Sequence, residues 1–204
     1  MTLSEITVGQ FQELWKINKS DLDPEEKLTE MVAAISGKTT NEVDQLTVPE
    51  FNKLAKEVKE ILSQPLPDSK PPKTLCGYGI TYEPAKLNRG QYVTVLHFVK
   101  GDVVENCHLI LASLTYDPKT GKHDSDRHKE IAEQMQEAKL VDVYPATVFF
   151  CELFKVSMKS LQSYLVKELM TKGAKPGMAV EAVSSLMTGL DGFLMPNKWQ
   201  TSRA

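Results

Sequence analysis

Cysteine is scarce in this 204-residue chain: Cys76, Cys107 and Cys151 lie far apart and form no Cys-x-x-Cys pair. That excludes a zinc ribbon or a disulfide framework as the basis of the fold and fits a reducing compartment. Long apolar runs are missing as well, since no stretch approaches the roughly 20 apolar residues of a membrane span. The first turns, which carry Glu5 and Glu13, lack the basic and then apolar run of a signal peptide. The expected location is therefore cytoplasmic, with no membrane partner. Dense Lys/Arg clusters are lacking too, which argues against nucleic acid as a partner. No Gly-x-Ser-x-Gly elbow and no glycine-rich strand-to-helix turn occurs, so neither a serine hydrolase nor a dinucleotide site is expected.

What is present is ordinary for a soluble globular protein, 41% hydrophobic and 25% charged. The net charge of −3 is unevenly shared. Residues 1–63 hold seven Lys/Arg against twelve Asp/Glu, whereas the rest of the chain holds seventeen against fifteen. An acidic first part joined to a mildly basic second part allows association between the two, with another protein or with itself, but two solvated surfaces of slightly different charge are the preferred reading.

Helix-start chemistry dominates the first 63 residues. Thr7 caps a helix over Val8 to Ile17, with Gln10 reaching back to the cap and Phe11, Leu14 and Trp15 forming an apolar face. Asp23-Pro24-Glu25-Glu26 combines a cap, a first-turn proline with preset φ, and two carboxylates favoured by the helix dipole; Gly37 is placed to end this helix. Thr39-x-x-Glu42 opens a short helix, and Thr47-Val48-Pro49 leads into Phe51, Leu54, Ala55, Val58, Ile61 and Leu62 at helical spacing. The four prolines of residues 64–73 each disfavour helix before them, which makes this stretch an extended linker.

After the linker, Thr74-Leu-Cys76 and Ile80-Thr-Tyr82 flank Gly77-Tyr78-Gly79, the pattern of a short β-hairpin that has to lie on helices to be stable. Asn88 and Gln91 start a helix ended by Gly101, and Asp102-x-x-Glu105 starts the next. Residues 116–122 read as a loop, and a helix over Asp126 to Ala138 is capped by Asp124 or Ser125. Tyr144-Pro145 opens the longest helix, whose apolar stripe is wide enough to be enclosed on several sides, and a last helix spans Met178 to Leu190 before a tail with Trp199. The expected fold is mainly α: a four-helix module over 1–63, a proline-rich linker over 64–73, and a larger helical module with a β-hairpin over 74–204. Thr7-Val-Gly-Gln-Phe11 and Asn88-Arg-Gly-Gln-Tyr92 echo each other, and Glu26 aligns with Glu105 at nearly the same offset, as in an internal repeat.

Potential chemistry is thin. His123-Asp124-Ser125-Asp126-Arg127-His128 collects ligands that suit Zn or Mn, and a metal-dependent enzyme is one alternative; cap and first-turn roles account for Asp124, Ser125 and Asp126 without a metal. Cys107 and His108 are adjacent, so they cannot face each other across one helix as a nucleophile and base. No enzyme, cofactor or metal is expected.

The pattern of Ile6-Thr-Val-Gly-Gln-Phe11, Glu26 to Gly37, and Glu42-Val-x-x-Leu46 followed by Phe51 resembles the small helical tail assembly chaperones of tailed bacteriophages. The stretch from Tyr82 through Tyr92 to Ala112 is similar to a second domain found in phages of gut bacteria. The resemblance implies a non-enzymatic protein that holds apolar segments of a tape measure protein or other tail protein during assembly in the host cytoplasm. An apolar groove between helices is the expected mode, with Phe11, Leu14, Trp15 and Trp199 as candidate contacts. The alternative is a structural virion component, a head-tail ring or connector subunit, that stays with other virion subunits.

Overall fold

The structure, a computed structural model, describes residues 2–65, 69–173, 175–178 and 180–181. Among these, eight α-helices and three short strands follow a 3-10 turn at Leu3–Glu5: α1 (Val8–Lys19), α2 (Pro24–Ser36), α3 (Thr40–Asp44), α4 (Val48–Ser63), β1 (Thr74–Leu75), β2 (Tyr78–Ile80), α5 (Arg89–Val99), α6 (Val103–Leu114), β3 (Thr115–Tyr116), α7 (His128–Glu137) and α8 (Leu140–Thr171). The chain is mainly helical, as expected.

The helix starts follow the cap chemistry of the sequence. Gln10 N donates to Thr7 Oγ1 while Thr7 N donates to Gln10 Oε1, both at 3.1 Å. Asn88 and Gln91 repeat the exchange at 2.9 and 3.2 Å. Asp23 accepts from the backbone of Glu25 and Glu26, and Gly37 ends α2 in the left-handed region at φ +67°. The Thr39 and Thr47 caps donate to Glu42 and Glu50, whose carboxyls those bonds hold below the usual range.

Residues 64, 65 and 69–73 carry no helix or strand. Beyond them β1 and β2 form the expected hairpin, but the turn sits one step earlier than its glycines suggest. Leu75 pairs with Tyr78, so Cys76 and Gly77 are the two loop residues, both at positive φ (51° and 83°), as a primed hairpin turn demands. A third strand extends the sheet antiparallel in the order β1-β2-β3, pairing Gly79 with Tyr116 and Ile80 with Thr115. Gly79 is required there, because a Cβ would stand 2.2 Å from the Tyr116 ring. The sheet is held on helices by Tyr82, whose ring meets Phe149 of α8 edge-on at 5.2 Å and whose hydroxyl donates to Pro72 O at 2.6 Å.

Two helix starts correct the sequence expectation. α7 begins at His128, not Asp126, because Asp124 spends its carboxylate on Asp126 N in a local turn at 3.1 Å and leaves Arg127 at the cap position. α8 begins at Leu140 and carries Pro145 in its second turn. A proline inside a helix costs on the order of 3 kcal/mol. Offsetting it, Leu140, Val143 and Ala146 are buried, and Leu140 N donates to Ile6 O at 2.8 Å. Val8 N donates to Ala138 O at 2.9 Å, so the approach to α8 is stitched antiparallel to the approach to α1. The helix expected over Met178 to Leu190 and the tail with Trp199 lie largely or wholly outside the described residues.

One continuous core joins these elements. Ile6, Val8 and Leu14 share it with Ile110, Leu111 and Leu114 of α6, Ile131 and Met135 of α7, and Phe150 of α8, all within 2% of full burial. Side chains of this size contribute about 1.5–3 kcal/mol each when fully buried. α1 packs on α2 to one side and on α6, α7 and α8 to the other, which places its polar residues against the first turn of α6.

Candidate functional site

Along α1 the residues Val8, Gln12, Trp15 and Lys19 fall on one helical face at spacings of four, three and four. The face starts apolar and ends charged, and Gln12 is the polar residue at its centre, 3% exposed. Its Nε2 donates to Val104 O and Glu105 O, both at 2.9 Å, and stands 2.8 Å from His108 Nδ1 and 3.5 Å from Cys107 Sγ. Its Oε1 accepts from Gln136 Nε2 of α7 at 3.2 Å. One buried amide thereby ties three helices together. Such an amide is costly to leave unpaired, on the order of 1–3 kcal/mol, and here it is fully engaged. No buried side-chain nitrogen or oxygen lacks a partner among the described residues.

Asp102, the cap of α6, receives the end of the same face. Its Oδ1 accepts from Val104 N and Glu105 N at 2.8 and 3.2 Å. Its Oδ2 accepts from Trp15 Nε1 at 3.0 Å and from Lys19 Nζ in a close ion pair. Burial works against the Asp102 charge, but the bonds from Lys19, Trp15 and the backbone outweigh it and hold the carboxyl below its ordinary range. The Lys19 ammonium also lies 5.4 Å over the Trp15 ring, a cation–π contact.

The histidines behave differently from one another. His108, half-buried, is pushed down by burial and by the positive charge of Lys16. His128 Nε2 lies 2.9 Å from Ser113 Oγ and 3.2 Å from Leu109 O, with its ring stacked on Phe98. Ser113 Oγ donates to Leu109 O at 2.9 Å, so its proton is already spent and His128 Nε2 is the donor toward it. A serine whose hydroxyl is back-bonded to its own helix is not poised as a nucleophile. His123 Nδ1 donates to Thr115 O at 2.9 Å. The residues 123–128 are thus spread over a turn and a helix start. Among the described residues, no group of three or more His, Cys, Asp or Glu is placed to hold a metal ion.

Burial pushes the Cys107 and Cys151 thiols up to about 12, and Cys76 is raised for the same reason. Thiols held protonated are poor nucleophiles. A groove of about 500 Å³ runs between residues 69–76 and the start of α8, edged by Lys70, Lys139, Glu137 and Asp142. Its charges are of mixed sign, which selects no particular ligand.

Of the residues expected to meet a partner, Leu14 is in the core at 2% exposure, Phe11 is packed against the core, and Trp15 donates to Asp102. The structure brings these three together on α1, where they meet this chain's own helices. Trp199 lies outside the described residues. Gln12, Gln136 and Lys19 were not singled out by the sequence. The available signal was Gln12 itself, an uncharged polar residue in the middle of an apolar stripe.

Comparison with family models, with curated proteins and with solved structures returns no match.

Proposed function

We propose that this chain is a non-enzymatic, protein-binding protein that assists bacteriophage tail assembly by holding apolar segments of a tape measure protein or another tail protein. The observation that carries the reading is the apolar surface on and beyond the second half of α8. Val156 is 62% exposed, Tyr164 61% and Met170 44%, and Met178 and Val180 continue the series at 58% and 49%. Exposed large apolar side chains that recur along one helix and beyond it offer contacts to other chains. At 1.5 Å per residue the 32 residues of α8 extend about 48 Å; its first end, from Leu140 to Cys151, enters the core, and Leu165, Val166 and Leu169 pack partly buried against that core. The choice of partner is supported by the helical patterns from Ile6 to Phe51, which resemble those of tail assembly chaperones.

Quantitative mass spectrometry of purified phage particles from the host of this gene tests the reading. An assembly chaperone is expected in lysates and missing from finished particles. Recovery from particles at a fixed stoichiometric copy number overturns it in favour of a ring or connector subunit.

A further inference from the structure

The bond between Gln12 and His108 fixes more than packing. The Gln12 amide has one orientation only. Turning it over would aim Oε1 at Val104 O and Glu105 O, two acceptors 2.9 Å away, and would leave Gln136 Nε2 facing an amide NH₂. The two hydrogens of this NH₂ are shared among Val104 O, Glu105 O and His108 Nδ1, and a hydrogen on Nδ1, 2.8 Å from Nε2, would meet them head-on, so Nδ1 has to be the accepting nitrogen. A ring nitrogen that accepts carries no proton, so this imidazole is neutral with its proton on Nε2.

We propose that His108 is an acid-sensitive latch: protonation of Nδ1 turns the acceptor of the Gln12 bond into a second donor and loosens α1 from the first turn of α6. Among the described residues, the charged and titratable groups acting on this imidazole are Lys16 from α1 and His128 from α7, and each opposes a further positive charge. The neighbouring thiols, Cys107 on α6 and Cys151 on α8, stay neutral because they are buried. No carboxylate compensates at Nδ1, since Asp102 is engaged by Lys19, Trp15 and the backbone. His128 is not such a latch. Burial lowers its proton affinity as well, but its Nε2–H points to Ser113 Oγ at 2.9 Å, with Leu109 O at 3.2 Å, and the cationic ring keeps that donor. Burial also lowers the proton affinity of His108 relative to the unfolded chain, so the latch is closed above about pH 6.5 and opens as pH falls below it. The Trp15 and Lys19 bonds to Asp102 persist at that pH, so α1 loosens and does not detach. This inference concerns the chain alone and is independent of the partner proposed above.

The test compares amide hydrogen exchange of α1 in the wild type and in His108→Asn at the same pH. Asn offers Oδ1 as an acceptor near the Nδ1 position and does not titrate. At pH 7.5 the two are expected to exchange alike. At pH 5.5 the wild-type α1 amides are expected to open more than those of the variant, by up to about tenfold, the most that one pH unit below the ordinary imidazole value allows. Equal exchange at pH 5.5 overturns the proposal. If the variant fails to fold, imidazole nitrogen spectra of the unaltered protein decide: a neutral ring at pH 7.5 with its proton on Nε2, titrating below about 6.5, supports the latch. A proton on Nδ1 at pH 7.5, or titration above that value, refutes it.

Discussion

Gln12 Nε2 and Cys107 Sγ, ninety-five residues apart in the chain, lie 3.5 Å from each other at the buried meeting of α1 and α6. The same nitrogen bonds two backbone carbonyls of α6, so this side chain concentrates the polar interactions of the junction. Replacing Gln12 by Ala removes every one of these bonds and leaves Gln136 Nε2 and His108 Nδ1 without it. The expected loss is about 2 kcal/mol, read as a lower urea midpoint at unchanged m-value. A variant as stable as the wild type refutes the structural role of the amide.

Gly79 and Tyr116 form the tightest side-chain constraint in the sheet. With a Cβ at Gly79 standing 2.2 Å from the Tyr116 ring, Gly79→Ala forces that ring off the strand at a cost of about 1–3 kcal/mol. Combining it with Tyr116→Ala removes the obstacle. The double variant is then expected to lose less than the sum of the two single losses, in a thermal unfolding cycle. Strict additivity rules the contact out.

Asp102 gives a pH signature distinct from that of His108. Its carboxyl is held below the ordinary range in the folded protein, so its contribution is complete above the unfolded pKa near 4 and is lost as pH falls through the folded value. Asp102→Asn keeps an N-cap acceptor but puts an NH₂ in place of Oδ2, and so loses the Lys19 charge pair and the acceptor for Trp15 Nε1. At pH 7 it is expected to be less stable than the wild type by up to about 1 kcal/mol, since Lys19 is half exposed. The gap closes near pH 2. A gap that persists there, measured by denaturant titration across the pH range, contradicts the assignment.

Local chemistry was the legible part of this chain. Thr7 with Gln10, Asp23 with Glu26, Thr39 with Glu42 and Asn88 with Gln91 each satisfy backbone donors within three residues, so the sequence carries the whole interaction. The start of α7 was misread because Asp124 has two local uses, capping a helix or closing a turn, and the sequence does not rank them. The start of α8 was misread because Pro145 reads as a helix opener, whereas the compensation for an internal proline comes from Ile6 and the core, far away in sequence. The candidate site was hidden for the same reason. Phe11, Leu14 and Trp15 were visible as an apolar stripe, but what covers them is the rest of this chain. The residue that organises that junction, Gln12, finds its partners 92 to 124 residues further along the chain.

The proposed binding of an apolar partner along α8 is tested most directly by co-expressing this chain with an apolar segment of a tape measure protein and measuring how much of that segment stays soluble and co-purifies. Wild type is expected to keep it in solution. The triple variant Val156→Asp, Tyr164→Asp and Met170→Asp, which alters exposed residues only, is expected to fold normally by circular dichroism and to lose the partner. An insoluble segment in the presence of wild type, or full recovery with the folded triple variant, contradicts the account.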